Sequence, residues 1–193
     1  MISVGVSGHR VLSDTEAVAS AVDEVLGKIL AHFGDRSLQV ISPLAEGADR
    51  LVAMRAIGSF SARLIVPLPL EKSDYMRDFL SEASKSEFST LLASADRVIE
   101  PSLSKTRQDA YLDAGLYVLD HSDVLITVWD GAPARGTGGT ADIVAEARRR
   151  EMPIAWVQVL RGKTLAQTAP GKTLSVQTHY ERFPTALENE VVD

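Results

Sequence analysis

The chain has 193 residues, 45% of them hydrophobic and 24% charged, a composition that fills one core and argues against long disorder. Lys and Arg number 20 against 26 Asp and Glu, a net charge of −6 spread over both halves, so no basic stripe offers itself to a nucleic-acid backbone. The absence of Cys excludes disulfides, thiolate nucleophiles and Cys-ligated metal, and no wholly apolar run approaches the ~20 residues that span a bilayer.

Short apolar runs alternate with longer amphipathic stretches. Ile2–Val6 reads as a strand that ends in Ser7-Gly8-His9-Arg10, and its position directly after Met1, with no basic leader, predicts no signal peptide and a cytoplasmic protein. Ser13-Asp14-Thr15-Glu16 fits a capping box with Ser13 as the cap. Val18, Val22, Val25, Leu26, Ile29 and Leu30 then fall at helical spacing up to Phe33, with Gly34 as the stop. Leu38–Ser42 is a second strand, followed by Pro43-Leu44-Ala45-Glu46-Gly47 and a helix to about Ile57. Arg63–Pro67 is the third strand, Ser73–Ala95 a helix in one or two pieces, and Arg97–Glu100 a short fourth strand. Gln108–His121 is helical, and Val124–Trp129 is the strongest buried-strand signal. A Gly-rich loop from Asp130 to Gly139 leads into a helix that ends at Arg148-Arg149-Arg150, three cations read as a solvated helix end. Ile154–Leu160 is the sixth strand.

Strand–helix alternation of this kind predicts an α/β fold: a Rossmann-like, doubly wound, mostly parallel sheet with helices on both faces. The expected division is a nucleotide-binding domain over residues 1–160 and a C-terminal extension over 161–193, packed on it or projecting from it. In the extension Gly162–Thr168 is nearly repeated as Gly171–Thr178, which predicts a β-hairpin. The two Gly-Lys-Thr triplets do not make a phosphate-binding P-loop, because the required upstream glycine is replaced by Val157 and Ala166.

In a doubly wound sheet the strand-to-helix turns carry the ligand. At the first, Gly8 permits close approach, Ser7 and His9 offer polar groups, and Arg10 suits phosphate through its planar fork; the alternative is an ordinary strand exit. At the second, small residues open a helix whose amides face an anion, with Glu46 placed to accept from ribose hydroxyls beside Gly47, Asp49 and Arg50. Asp49 and Arg50 read equally well as a first-turn acid and its neighbour.

The third turn is the most informative. Trp129-Asp130-Gly131 is followed by Gly136-Thr137-Gly138-Gly139-Thr140, so amides and hydroxyls converge ahead of a helix dipole. A phosphate is expected on the Gly138–Thr140 amides, with Gly139 at positive φ and Arg10 supplying the countercharge. Trp129 is read as core, with base stacking as the alternative. Asp130 either binds ribose or caps the loop. Arg107 and Tyr111 share one helix face and either line the pocket or lie at the surface. His32, His121 and His179 are isolated, so no metal site is expected.

Taken in order, these segments resemble the SLOG superfamily of Rossmann-like domains, which includes the Lonely Guy phosphoribohydrolases and the Rossmann domain of DNA-processing protein A. The resemblance runs from about Ile2 to Leu160. It rests on Ser7-Gly8-His9-Arg10, on Glu46-Gly47-Ala48-Asp49-Arg50-Leu51, on Ile65-Val66-Pro67-Leu68-Pro69, and on His121–Ile126 with Gly136-Thr137-Gly138-Gly139-Thr140. It implies a site for a nucleotide or nucleotide-derived molecule, with no further cofactor, and a homodimer. The dimer also agrees with apolar residues on more than one face of the 108–121 helix (Leu112, Leu116, Tyr117, Leu119).

The departures bear on chemistry. The Arg-Lys pair of the Lonely Guy enzymes falls on Ala114-Gly115, and their Glu falls on Ile143. Binding or sensing is therefore expected. The alternative is an enzyme that cleaves or transfers an N-glycosidic bond, with Asp142, Glu46 or Asp130 as its carboxylate.

Overall fold

The computed structural model describes residues 1–34, 37–101, 106–133, 138–159 and 176–183. Its strands are β1 (Ile2–Gly8), β2 (Leu38–Ile41), β3 (Arg63–Pro67), β4 (Arg97–Ile99), β5 (Val124–Trp129), β6 (Ile154–Gln158) and β7 (Gln177–Glu181). The helices are α1 (Thr15–Phe33), α2 (Ala48–Phe60), α3 (Lys72–Tyr75), α4 (Glu82–Ala93), α5 (Arg107–Asp120) and α6 (Thr140–Arg149). A 3-10 turn, Met76–Asp78, follows α3 directly, so the predicted 73–95 helix is in two pieces.

One seven-stranded sheet has the order β4-β3-β2-β1-β5-β6-β7. The first six strands are parallel, and β7 joins the edge antiparallel to β6 with Ala155 opposite Tyr180. Val4 of β1 pairs with Val40 of β2 on one side and Val124 of β5 on the other. The chain therefore lays strands outward from β1 in one direction, then crosses through α5 and continues in the other. That reversal between β1 and β5 opens a crevice at their carboxyl ends. The fold is the Rossmann-like, doubly wound α/β architecture that the alternation predicts.

Strand side chains alternate between two covered faces, which is why β5 is buried throughout. Val4, Val6, Ile126 and Val128 join the larger core under α1 and α2, with Val22, Leu26, Val52 and Ala56. Leu125, Trp129 and Ile154 face the other way, against Leu119 of α5 and Ile143, Val144 and Ala147 of α6.

Three local readings need correction. The cap of α1 is Asp14, whose side chain accepts from the Ala17 amide, one residue beyond the expected Ser13. Arg50 is no surface neighbour of Asp49. It lies buried, donating to the Leu44 carbonyl at 3.0 Å and to the Ser84 carbonyl at 2.9 Å, with its guanidinium 4.4 Å over the Phe79 ring. The Arg148–Arg150 end is not simply solvated: Arg148 makes a bidentate pair with Glu181 of β7, while Arg149 and Arg150 both bond Glu146. Residues 160–175, which hold most of the expected hairpin, lie outside the described residues.

Candidate functional site

A cleft of about 480 Å³ sits at the β1/β5 reversal. Ser7, Gly8, His9 and Arg10 line it from the end of β1, Trp129 from the end of β5, and Gly138, Gly139 and Thr140 from the start of α6. Tyr111, Ala114 and Gly115 contribute from α5, and Asp49 and Tyr75 from the side of α2 and α3. Turns that lie as far apart in sequence as Ser7–Arg10 and Gly138–Thr140 thus meet at one edge of the sheet.

The first turn is held by the backbone. His9 donates its amide to the Val128 carbonyl at 2.9 Å and accepts the Ala48 amide at 3.0 Å. The opening amide of α2 is therefore spent on protein rather than turned to an anion, contrary to expectation. Gly47 makes that junction possible. It has φ +81°, and a Cβ there would stand 2.4 Å from the carbonyl oxygens of His9 and Arg10. His9 Nε2 lies 3.1 Å from both the backbone nitrogen and Oδ1 of Asp130. Nε2 accepts the amide in one ring tautomer and donates to the carboxylate in the other. Asp130 Oδ1 also accepts from the Ala132 amide at 2.9 Å, so this carboxylate caps its loop.

Arg10 is exposed, and among the described residues it has no ion-pair partner. Its guanidinium carbon stands 5.5 Å from the centre of the Tyr111 ring, a cation–π arrangement that keeps the charge over the cleft. Arg107, predicted beside Tyr111, is committed elsewhere. It pairs with Asp74 at 2.7 Å and Asp78 at 2.8 Å, and the Tyr111 hydroxyl bonds the same Asp78. These contacts fasten α5 to α3 and the 3-10 turn and form one wall of the cleft.

At the third turn Gly138 has φ +81°, and a Cβ on it would press to 3.1 Å from the Leu112 amide nitrogen. Gly139 has φ −81° and ψ 172°, ordinary extended backbone, so the positive φ falls one residue earlier than expected. The Gly138 amide is also engaged, donating to Asp142 Oδ2 at 2.8 Å. The expected three-amide cradle is thus displaced. The amides of Gly139, Thr140 and Ala141 have no acceptor among the described residues, and they open α6 toward the cleft. Gly136 and Thr137 lie outside the described residues.

No family model matches the chain, and no curated protein matches it. Among solved structures it is similar to the Moco carrier protein of Chlamydomonas rheinhardtii. The identity is 20%, the match covers 80% of this chain and 74% of that one, and the TM-score is 0.42. At that identity and score the similarity says nothing of this chain's ligand.

The carboxylates fall into two groups. Asp142 is a loop cap, Asp130 is held by His9 and Ala132, and Glu46 accepts from the Leu80 amide and the Ser84 hydroxyl in a neighbouring groove. None of these three lines the cleft, whereas Asp49 does. It is 5% exposed, takes the Ala45 amide at 3.3 Å, and lines the cleft floor. Burial pushes its carboxyl up to about 7 against the opposing pull of the Ala45 amide, Arg10, Ser42 and Arg50. Tyr75 beside it is fully buried, and desolvation with the Asp49 charge drives its hydroxyl pKa far above the usual phenol range. Sequence reasoning missed Tyr75, since a lone Tyr in a four-residue helix carries no periodic signal.

Trp129 is core and site at once. It is 7% exposed, packs against Trp156 at 5.6 Å, and lines the cleft. Among the described residues no cluster of His, Asp and Glu could hold a metal ion, and no helix is long and apolar enough to cross a membrane.

Proposed function

We propose that the cleft binds a phosphate-bearing nucleotide or a small molecule derived from one, as a binding or sensing module. The observation that carries this reading is the pairing of a cation and a helix start in one crevice. Arg10 forms no ion pair among the described residues, and the Gly139, Thr140 and Ala141 amides open from α6 into the same space. Guanidinium and oriented amides are the two groups that bind phosphate best, and the α6 dipole adds to both. Tyr111 and Trp129 provide apolar faces for a ring.

The resemblance to the SLOG superfamily supports the same reading and bears on chemistry. Ala114, Gly115 and Ile143, which fall where the Lonely Guy enzymes carry their catalytic pair and Glu, all line this cleft without a charge. N-glycosidic cleavage is the second reading, favoured by one observation: the cleft does hold a buried carboxyl, that of Asp49.

Titration calorimetry with adenosine monophosphate and adenosine tests the first reading. Arg10→Ala should weaken the nucleotide at least about tenfold, equivalent to ~1.4 kcal/mol, and leave the nucleoside nearly unchanged. Equal losses for both would mean that Arg10 only shapes its turn. Incubation with adenosine monophosphate, NAD and ADP-ribose should release no base; release abolished by Asp49→Asn would establish the second reading instead.

A further inference from the structure

The Tyr75 hydroxyl is buried without a hydrogen-bond partner among the described residues, at the wall of the cleft and within the electrostatic reach of Asp49. A buried hydroxyl normally finds a partner, because leaving it bare forfeits water and gains nothing. Its surroundings explain why the protein supplies none. The ring is packed among Phe79, Phe88 and Tyr111, at centroid distances of 5.0, 5.6 and 6.1 Å, and none of these aromatic neighbours hydrogen-bonds its oxygen. The ring is thus fixed and the polar end left over. Asp49 lines the same cleft and its charge acts on that hydroxyl; its backbone is locked in the first turn of α2 and one carboxylate oxygen takes the Ala45 amide.

We propose that Tyr75 and Asp49 form a second subsite at the floor of the cleft, which takes a nitrogen heterocycle presenting an N–H donor beside an acceptor. The tyrosine hydroxyl donates to the ring acceptor and the Asp49 carboxylate accepts the adjacent N–H, whether on the ring or on an exocyclic amine. This subsite rests on the nucleotide-binding reading and deepens it: Arg10 and the α6 amides take the anion, and the floor reads the base. Charge supports the division. Asp49 is the acid on the floor, and the cations that act on it are Arg10 from the first turn and the buried Arg50 of α2. The charge of Arg50 is already satisfied by Glu87 at 2.9 Å. With its carboxyl raised to about 7 by burial, Asp49 is poised between its neutral and ionised forms at neutral pH, so a ligand N–H that stabilises the anion has something to gain. A site of this kind discriminates by the groups it leaves bare when the wrong ligand enters.

Tyr75→Phe removes only the oxygen and keeps the ring in its aromatic nest. A structural role predicts that deleting a bare buried hydroxyl leaves stability equal or raised, with binding untouched. The subsite predicts equal or raised stability together with loss of base recognition. Calorimetry on the full chain with adenosine monophosphate, guanosine monophosphate and ribose 5-phosphate separates the two. At least one nucleotide should bind tenfold or more tightly than ribose 5-phosphate. Tyr75→Phe and Asp49→Asn should each cut that advantage at least fivefold and leave ribose 5-phosphate within twofold. An unchanged advantage in Tyr75→Phe, or nucleotides no tighter than ribose 5-phosphate, overturns the subsite while the anion site stands. Binding of none of the three overturns the reading of the cleft and the subsite with it.

Discussion

The Gly138 amide donates to Asp142 Oδ2 at 2.8 Å, closing the turn that starts α6 on itself. Asp142 stands at the third helical position, so its carboxylate satisfies the residue ahead of the cap and also faces the positive end of the helix dipole. Its role is structural, and Asp142→Ala should cost about 1 kcal/mol of stability in chemical denaturation. A variant within about 0.2 kcal/mol of the parent would mean that the turn holds without this bond.

The same turn distinguishes its two glycines. Gly138 at φ +81° has the Leu112 backbone nitrogen 3.1 Å from where a Cβ would sit, so Gly138→Ser combines strain with a tight contact. It should lose roughly 1–3 kcal/mol. Gly139 at φ −81° occupies the cap, where Ser is preferred, so Gly139→Ser should be neutral or slightly stabilising. Thermal unfolding of the pair checks the order. Equal losses would mean that neither the φ nor the contact decides.

These corrections show what the sequence could carry. The strand–helix rhythm and the identity of the three turns were legible because they depend on local patterns: apolar runs, glycines, caps. The meeting of Ser7–Arg10 with Gly138–Thr140 followed from the fold class alone. Which side chains face the cleft did not. Glu46 sits at the second turn and Arg107 opens α5, yet Ser84 in α4 and Asp74 and Asp78 around the 3-10 turn capture them from elements more than twenty-five residues away. Tyr75 lines the floor with its ring held by Phe79, Phe88 and Tyr111, side chains from three other places in the chain. Such captures are tertiary events, and neither periodicity nor spacing records them.

The β7 edge offers a test of another long-range contact. Arg148 meets Glu181 through Nε at 2.9 Å and Nη2 at 2.6 Å, a fork geometry that fixes both side chains. Both are partly exposed, so the coupling should be modest. A double-mutant cycle over Arg148→Ala and Glu181→Ala should give about 1 kcal/mol, falling in high salt. Arg148→Lys should recover less than half, because an ammonium cannot reproduce two parallel bonds. Full recovery would reduce the contact to simple charge attraction.

Asp49 predicts a pH dependence of stability whose sign is opposite to that of an ordinary paired carboxylate. In the folded chain its carboxyl titrates near 7; in the unfolded chain it returns to about 3.8. Between these values the folded state holds a proton that the unfolded state has released, so the native state loses stability as pH rises. The contribution is complete below about pH 3.8, declines by about 1.4 kcal/mol for each pH unit through the window, and is gone above about pH 7. Asp49→Asn carries no proton in either state and removes the term. Tyr75, whose hydroxyl the Asp49 charge also acts on, stays protonated throughout this pH range, so the difference between the two proteins isolates Asp49. The stability of Asp49→Asn relative to the parent should therefore climb from pH 4 to pH 7, by up to about 4 kcal/mol, and level off beyond. Urea denaturation of both proteins at pH 4.5, 5.5, 6.5 and 8 measures it. A difference that stays flat with pH would show that Asp49 ionises in the folded protein as it does in water, and its burial would then be relieved by water entering the cleft.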